Sequence, residues 1–253
     1  MNAAAAGAGA EVFADLQAEQ ERIEAMLGGL GDEQWRAPSA AAGWSVADVV
    51  LHLAQTEELV VATITGAESG ATTFFGGGRG VDAAAESFVA AERAEPAVVF
   101  ERWRVARRRA LDALRGADPG RAVAWAAAPL RPATLATTRL AEHWAHALDV
   151  SDALGLVYED HERLHHVAWL AHRTLPYAWS LAGEPAHDVY CELVGPTGAR
   201  WRFGPEACES RVTGPLGDFC RVAAQRLAPS AGALVATGPH GAGALAVVRT
   251  YVA

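Results

Sequence analysis

The stretch Leu135–Leu154, LATTRLAEHWAHALDVSDAL, holds Glu142 and His146 four residues apart on what reads as one helix, with Gly155 placed to close it as a left-handed C′ residue. On an α-helix, residues at i and i+4 stand one above the other, about 5–6 Å apart. A carboxylate and an imidazole so placed can reach one metal ion from a single rigid element. A catalytic site needs at least one more ligand from elsewhere, so the chain must bring a second element alongside. His52, in WSVADVVLHLAQTEELV, is the best-placed candidate. Two histidines, one glutamate and an open position are what a catalytic divalent cation takes, zinc above all. Spacing alone leaves a second reading open, in which Glu142–His146 is an exposed helical pair and His52 a half-buried core histidine.

The rest of the first half supplies helices to build around that stretch. Residues 10–30 place Val12, Phe13, Leu16, Ile23, Leu27 and Leu30 at roughly helical spacing, with Gly28 and Gly29 at the stop. Residues 32–35 read as a short turn. Ser45, with Asp48 three residues on, is a variant of the capping box and starts a helix that runs to Thr65, before Gly66. His52 falls at the edge of its apolar stripe of Val46, Val49, Val50, Leu53, Val60 and Ile64. A further helix spans Pro96–Arg115, where Arg102, Arg104, Arg107, Arg108 and Arg109 read as a solvated face. Residues 66–81 are glycine-rich but lack the lysine and the preceding strand of a phosphate-binding loop, so they read as a connection or lid. The expectation for residues 1–155 is therefore an antiparallel four-helix bundle, an architecture that builds metal sites from inward-pointing side chains on facing helices.

After Gly155 the pattern changes to a small α+β domain, residues 156–253. Glu162–Leu181 reads as helix with a break at Pro176, residues 188–194 and 199–203 as a hairpin, and residues 210–212 as a third strand. Helix over 215–227, strand over 233–237 and helix over 242–251 complete it. His161, His165, His166 and His172 have helical spacings, and a solvated helix face accounts for them.

Charge and cysteine content narrow the function. The formal net charge of −9 argues against a nucleic-acid partner, which calls for a basic face. Every basic residue is arginine, which excludes a lysine Schiff base. Cys191, Cys208 and Cys220 form no C-x-x-C pair and no disulfide framework, and read as small core residues. No apolar run reaches membrane-spanning length without a charge, and the N-terminus has no basic segment before an apolar core. A cytoplasmic protein is expected, a monomer or homodimer acting on a small molecule, with no membrane partner.

EHWAHALDVSDALG, from Glu142 to Gly155, and GWSVADVVLHLA, from Gly43 to Ala54, together closely resemble the two signatures of the mycothiol-dependent maleylpyruvate isomerase family. RVTGPLGDFCRVAAQRL in the second half is also similar to that family, and the resemblance covers nearly the whole chain. It implies a DinB-like antiparallel four-helix bundle followed by a small α+β domain, with a cleft between them. It implies a divalent metal, usually zinc, on His52, Glu142 and His146, with mycothiol as cosubstrate. It also implies a role for an arginine whose best match is Arg226, where Gln225 stands in place of the family's glycine.

The residues around the ligands sort by helical angle. Arg139, three before Glu142, shares its face and could bind a substrate carboxylate or orient Glu142. Asp149, three after His146, could accept a hydrogen bond from its imidazole or help pack the end of the helix. His143 points about 100° away from Glu142 and is not expected to be a ligand. Trp44 reads as a structural anchor. Three functions follow: a metal- and mycothiol-dependent isomerase or S-transferase acting on an enoyl acid, epoxide or quinone; a thiol-independent metal-dependent lyase, cyclase or isomerase of specialised metabolism; and a metal-binding module without turnover.

Overall fold

A computed structural model describes residues 3–66, 81–126 and 128–250, with side chains from residue 11 onward. The chain divides after Tyr158 into two compact units.

In the first unit, four long helices form an antiparallel bundle: α1 (Ala3–Gly28), α3 (Val46–Thr65), α5 (Pro96–Gly116) and α6 (Pro132–Leu154). Two short helices join them, α2 (Asp32–Arg36) and α4 (Val81–Glu92). The expected start of α3 is present in full. Ser45 Oγ accepts from the Asp48 N–H at 3.1 Å, and Asp48 Oδ2 accepts from the Ser45 N–H at 3.0 Å. Two of the helix's orphan donors are thereby satisfied. Arg93 Nε donates to the same carboxylate at 2.8 Å. Gly66 ends α3 at φ +76°, and Gly155 ends α6 at φ +65°. Those backbone angles disfavour residues with a Cβ.

The core joins Leu16, Ile23 and Leu27 of α1 to Leu53 of α3, Trp103 and Leu114 of α5, and Leu140 and Trp144 of α6. Each such side chain contributes about 1.5–3 kcal/mol by leaving water. The stripe expected on α3 is too narrow a description. From Val46 to Val60 nearly every side chain of α3 is buried, polar ones included, because the helix packs against α2, α4, α5 and α6.

Two sequence expectations for this unit are corrected, and one helix lies where the sequence reading assigned no element. Residues 32–36 form a turn of helix rather than a simple turn. Val81–Glu92 is helical, although its alanine-rich sequence gave little periodic signal. Only Ala85 and Val89 are buried there, and Gln55 Nε2 ties the helix to α3 by donating to the Phe88 carbonyl and to Glu92, each at 3.0 Å. Arg107 is not on a solvated face. It is buried, paired with Glu24, and stands over the Trp103 ring at 5.3 Å. The glycine-rich connection expected at 66–81 lies, apart from its two ends, outside the described residues.

The second unit holds α7 (Leu164–Arg173), α8 (Leu175–Leu181), β1 (Tyr190–Val194), β2 (Arg200–Phe203), β3 (Arg211–Pro215), α9 (Leu216–Ala223), β4 (Val235–Thr237) and α10 (Gly241–Val247). The strands make one sheet in the order β2-β1-β3-β4. β1 pairs antiparallel with β2 and parallel with β3, and β4 returns antiparallel on β3. The break near Pro176 falls at Thr174, between α7 and α8. His165 and His172 leave the solvated face expected of them. His165 stacks on Trp201 at 4.0 Å, and His172 Nε2 bonds the Val189 carbonyl at 2.8 Å. Among the described residues, no helix is long and apolar enough to cross a membrane.

Candidate metal centre

Two of the bundle's helices converge on one point. α3 presents His52 and α6 presents Glu142 and His146, and one donor atom from each lies within 4.8 Å of the other two. His52 Nε2 is 2.9 Å from Glu142 Oε1, and His146 Nε2 is 3.5 Å from that same oxygen. The two imidazole rings meet edge to face at 5.0 Å. The trio is half-enclosed: His52 is buried, while Glu142 and His146 keep partial access to solvent.

The surroundings set the protonation of each group. His146 Nδ1 bonds Asp149 Oδ2 at 2.8 Å. With its Nδ1 side held there by a carboxylate, the ring turns its Nε2 towards Glu142 and His52. Burial opposes charge on His146, but the bonds to Asp149 and Glu142 outweigh it and raise its pKa to about 9. Burial pushes His52 down, against the opposing pull of Glu142, so it is neutral. Burial also works against ionisation of Glu142, yet the bonds to His146 and His52 prevail and hold it well below the usual carboxylate range. Trp44, placed just before α3, lies 5.0 Å from the His52 ring and stacks at 6.2 Å on His146. Its indole lies beside both imidazoles.

Two borderline nitrogens and one hard oxygen on facing helices form a donor set that could hold a divalent cation and leave a position free. The carboxylate–imidazole pair of Asp149 and His146 is the outer arrangement that metal-binding histidines ordinarily have.

The other sequence candidates fall elsewhere. Arg139 does not open on solvent. It is 3% exposed, with Nε donating to Glu57 Oε1 at 2.8 Å and Nη2 to Thr56 Oγ1 at 2.7 Å. His143 lies behind the candidate ligands, fully buried. The indole of Trp103 donates to its Nε2 at 3.2 Å, so Nδ1 carries the proton and donates to the Arg139 carbonyl at 2.8 Å. Burial, reinforced by the Arg139 charge, lowers its pKa to about 3. Arg226 belongs to the second unit, where its Nη1 donates to the Ala224 carbonyl at 2.7 Å. Gln225 beside it takes φ +61°, the conformation for which a glycine is ordinarily used. Cys191 and Cys220 are buried as expected, and Cys208 is half-buried.

Sequence reasoning passed over Glu57 and Thr56. A signal was present: Glu57 stands four after Leu53 and three before Val60, both on the apolar stripe, so an acid occupies the middle of a buried face.

The mycothiol maleylpyruvate isomerase N-terminal domain matches residues 16–151. The chain belongs to the mycothiol maleylpyruvate isomerase family. All three ligand candidates lie within the matched residues. Two curated relatives, the uncharacterized proteins MT0041 and Rv0036c from two strains of Mycobacterium tuberculosis, are each 37% identical over 221 residues, covering 86% of either chain. The crystal structure of the mycothiol-dependent maleylpyruvate isomerase superposes with TM-score 0.63 at 18% identity, covering 90% of this chain and 92% of that one. A histidine-to-alanine mutant of the same isomerase gives TM-score 0.62 at 16% identity. The family fold is thus kept through extensive sequence change.

Proposed function

We propose that His52, Glu142 and His146 bind one divalent cation, zinc by their donor set, and that the protein is an isomerase or S-transferase. It brings the thiol of mycothiol to a small electrophile such as an enoyl acid, epoxide or quinone. The observation that carries this reading is the approach of the three donors, from two helices, to within 4.8 Å. Membership of the family, and a structural neighbour described as mycothiol-dependent, add the thiol.

When bound, the cation supplies Lewis acidity, and a thiol coordinated to it is deprotonated. The chain's own residues prepare the place. Asp149 holds the Nδ1 proton of His146 and so aims its Nε2. Trp44 packs its indole beside the imidazoles. Burial pushes the Cys191 thiol up to about 12 and holds Cys220 well above the ordinary thiol range, so neither buried cysteine supplies a thiolate. Arg226 is the second unit's candidate for meeting an anionic group of the substrate.

The test is to strip the purified chain with a chelator, reload it with zinc, and follow thiol addition to maleylpyruvate and related enoyl acids in the presence of mycothiol. Activity should need both zinc and the thiol, and should be lost in His52→Ala. Full turnover by a folded, metal-free protein would overturn the reading. Turnover in thiol-free buffer would replace it with direct Lewis-acid chemistry.

A further inference from the structure

Behind the candidate ligands lies a second layer of polar side chains, closed off from solvent. Thr56 Oγ1 donates to the His52 carbonyl at 2.9 Å and accepts from Arg139 Nη2 at 2.7 Å. Arg139 Nε donates to Glu57 Oε1 at 2.8 Å, and the Arg139 carbonyl accepts from His143. On α3, Thr56 is one turn after His52. On α6, Arg139 is just under one turn before Glu142. The guanidinium therefore joins the two ligand-bearing helices about one turn away from the point where the ligands meet.

We propose that Arg139 is a positioning residue of the metal centre, clamping α6 to α3 through Thr56 and Glu57 so that His52 and Glu142 stay at the spacing one cation requires. This rests on the reading that a cation binds there. Ligand distances around such a cation tolerate only about ±0.2 Å, whereas packed helices shift past one another by about 1–2 Å. Apolar side chains can repack through a slide of that size. A planar fork held on one side by a carboxylate and on the other by a hydroxyl cannot, because its bonds are directional.

Stability is a poor alternative explanation for the pair. Buried ion pairs commonly lose as much in desolvation as they gain in attraction. This pair is not built for strength, since Glu57 Oε2 is buried with no hydrogen-bond partner among the described residues. The branch through Thr56 is the informative feature. Its hydroxyl reaches the backbone carbonyl of the candidate ligand His52 at 2.9 Å, shared with the Leu53 carbonyl at 3.1 Å.

The experiment measures zinc and cobalt(II) binding to the full chain by competition with a chromophoric chelator, alongside the melting temperature and the cobalt absorption spectrum. The variants are the double substitution Glu57→Leu with Arg139→Met, and the singles Thr56→Val and Thr56→Ser. Replacing both charges with apolar groups preserves packing, so the double variant should melt close to wild type. Its metal affinity should fall about tenfold or more, the scale on which outer-shell changes act, and its cobalt spectrum should change. Thr56→Val should weaken binding several-fold, and Thr56→Ser, which keeps the hydroxyl, should restore it. If the double variant does not fold, the valine and serine pair decides. Wild-type affinity and spectrum in both the folded double variant and Thr56→Val would overturn the positioning role and leave the metal site standing. A wild-type chain that takes up neither cation would overturn both.

Discussion

Replacing Asp149 tests the centre without touching any candidate ligand. Its Oδ2 lies 2.8 Å from His146 Nδ1, and the residue is 2% exposed. In Asp149→Ala nothing holds the Nδ1 proton, the ring is free to turn, and its Nε2 loses the basicity that a carboxylate partner confers. Outer partners of this kind are worth about 10–100-fold in metal affinity, or about 1.4–2.8 kcal/mol. Asp149→Asn is the finer probe. Its side-chain carbonyl can still accept from Nδ1–H at the same distance, so orientation survives while the charge is lost. The expected order of zinc affinity is wild type, then Asn about tenfold weaker, then Ala weaker again, measured by chelator competition at fixed pH. Affinity unchanged within twofold in Asp149→Ala would refute the reasoning, for it would mean that His146 does not reach the cation through Nε2.

Three further predictions concern the scaffold. The Asp48 carboxyl is pushed up by burial, but its bonds to Arg93 and Ser45 outweigh that and leave it below its ordinary value. Its contribution to stability is therefore complete above the unfolded pKa of about 3.9 and lost as pH falls through the lower folded value. Ser45→Ala should cost about 0.5–2 kcal/mol in denaturant unfolding at neutral pH, and Asp48→Asn should flatten the acid limb of the stability profile. An unaltered acid limb in Asp48→Asn would show that the carboxylate is not the titrating partner. A thiol reagent should modify Cys208 in the native protein and all three cysteines only after unfolding, because burial keeps Cys191 and Cys220 protonated. Rapid native labelling of Cys191 would contradict the packing of β1.

The helices were legible where the sequence carries its own boundaries. Ser45 with Asp48 at one end and Gly66 at the other mark α3, and Gly155 marks the end of α6. These are local signals, readable because capping and left-handed glycines act within one turn. Val81–Glu92 has no strong periodicity, and Gln55 of a different element bonds its last turns. Arg107 and His165 were misread for a related reason. Each is polar, and each finds Glu24 or Trp201 far off in the chain, so burial costs little once the partner arrives.

The sequence by itself determined the candidate ligand types and the two helices that bear them, because i,i+4 spacing is a property of one element. It also carried the family resemblance, through the strings around His52 and Glu142. Only the tertiary structure decided that the two helices face each other at ligand distance, and that Arg139 turns inward to Glu57 and Thr56 instead of outward to a substrate. Helical geometry says which residues share a face. It does not say what that face meets, and for a charged side chain the meeting decides whether it serves as a surface group, a ligand or a brace.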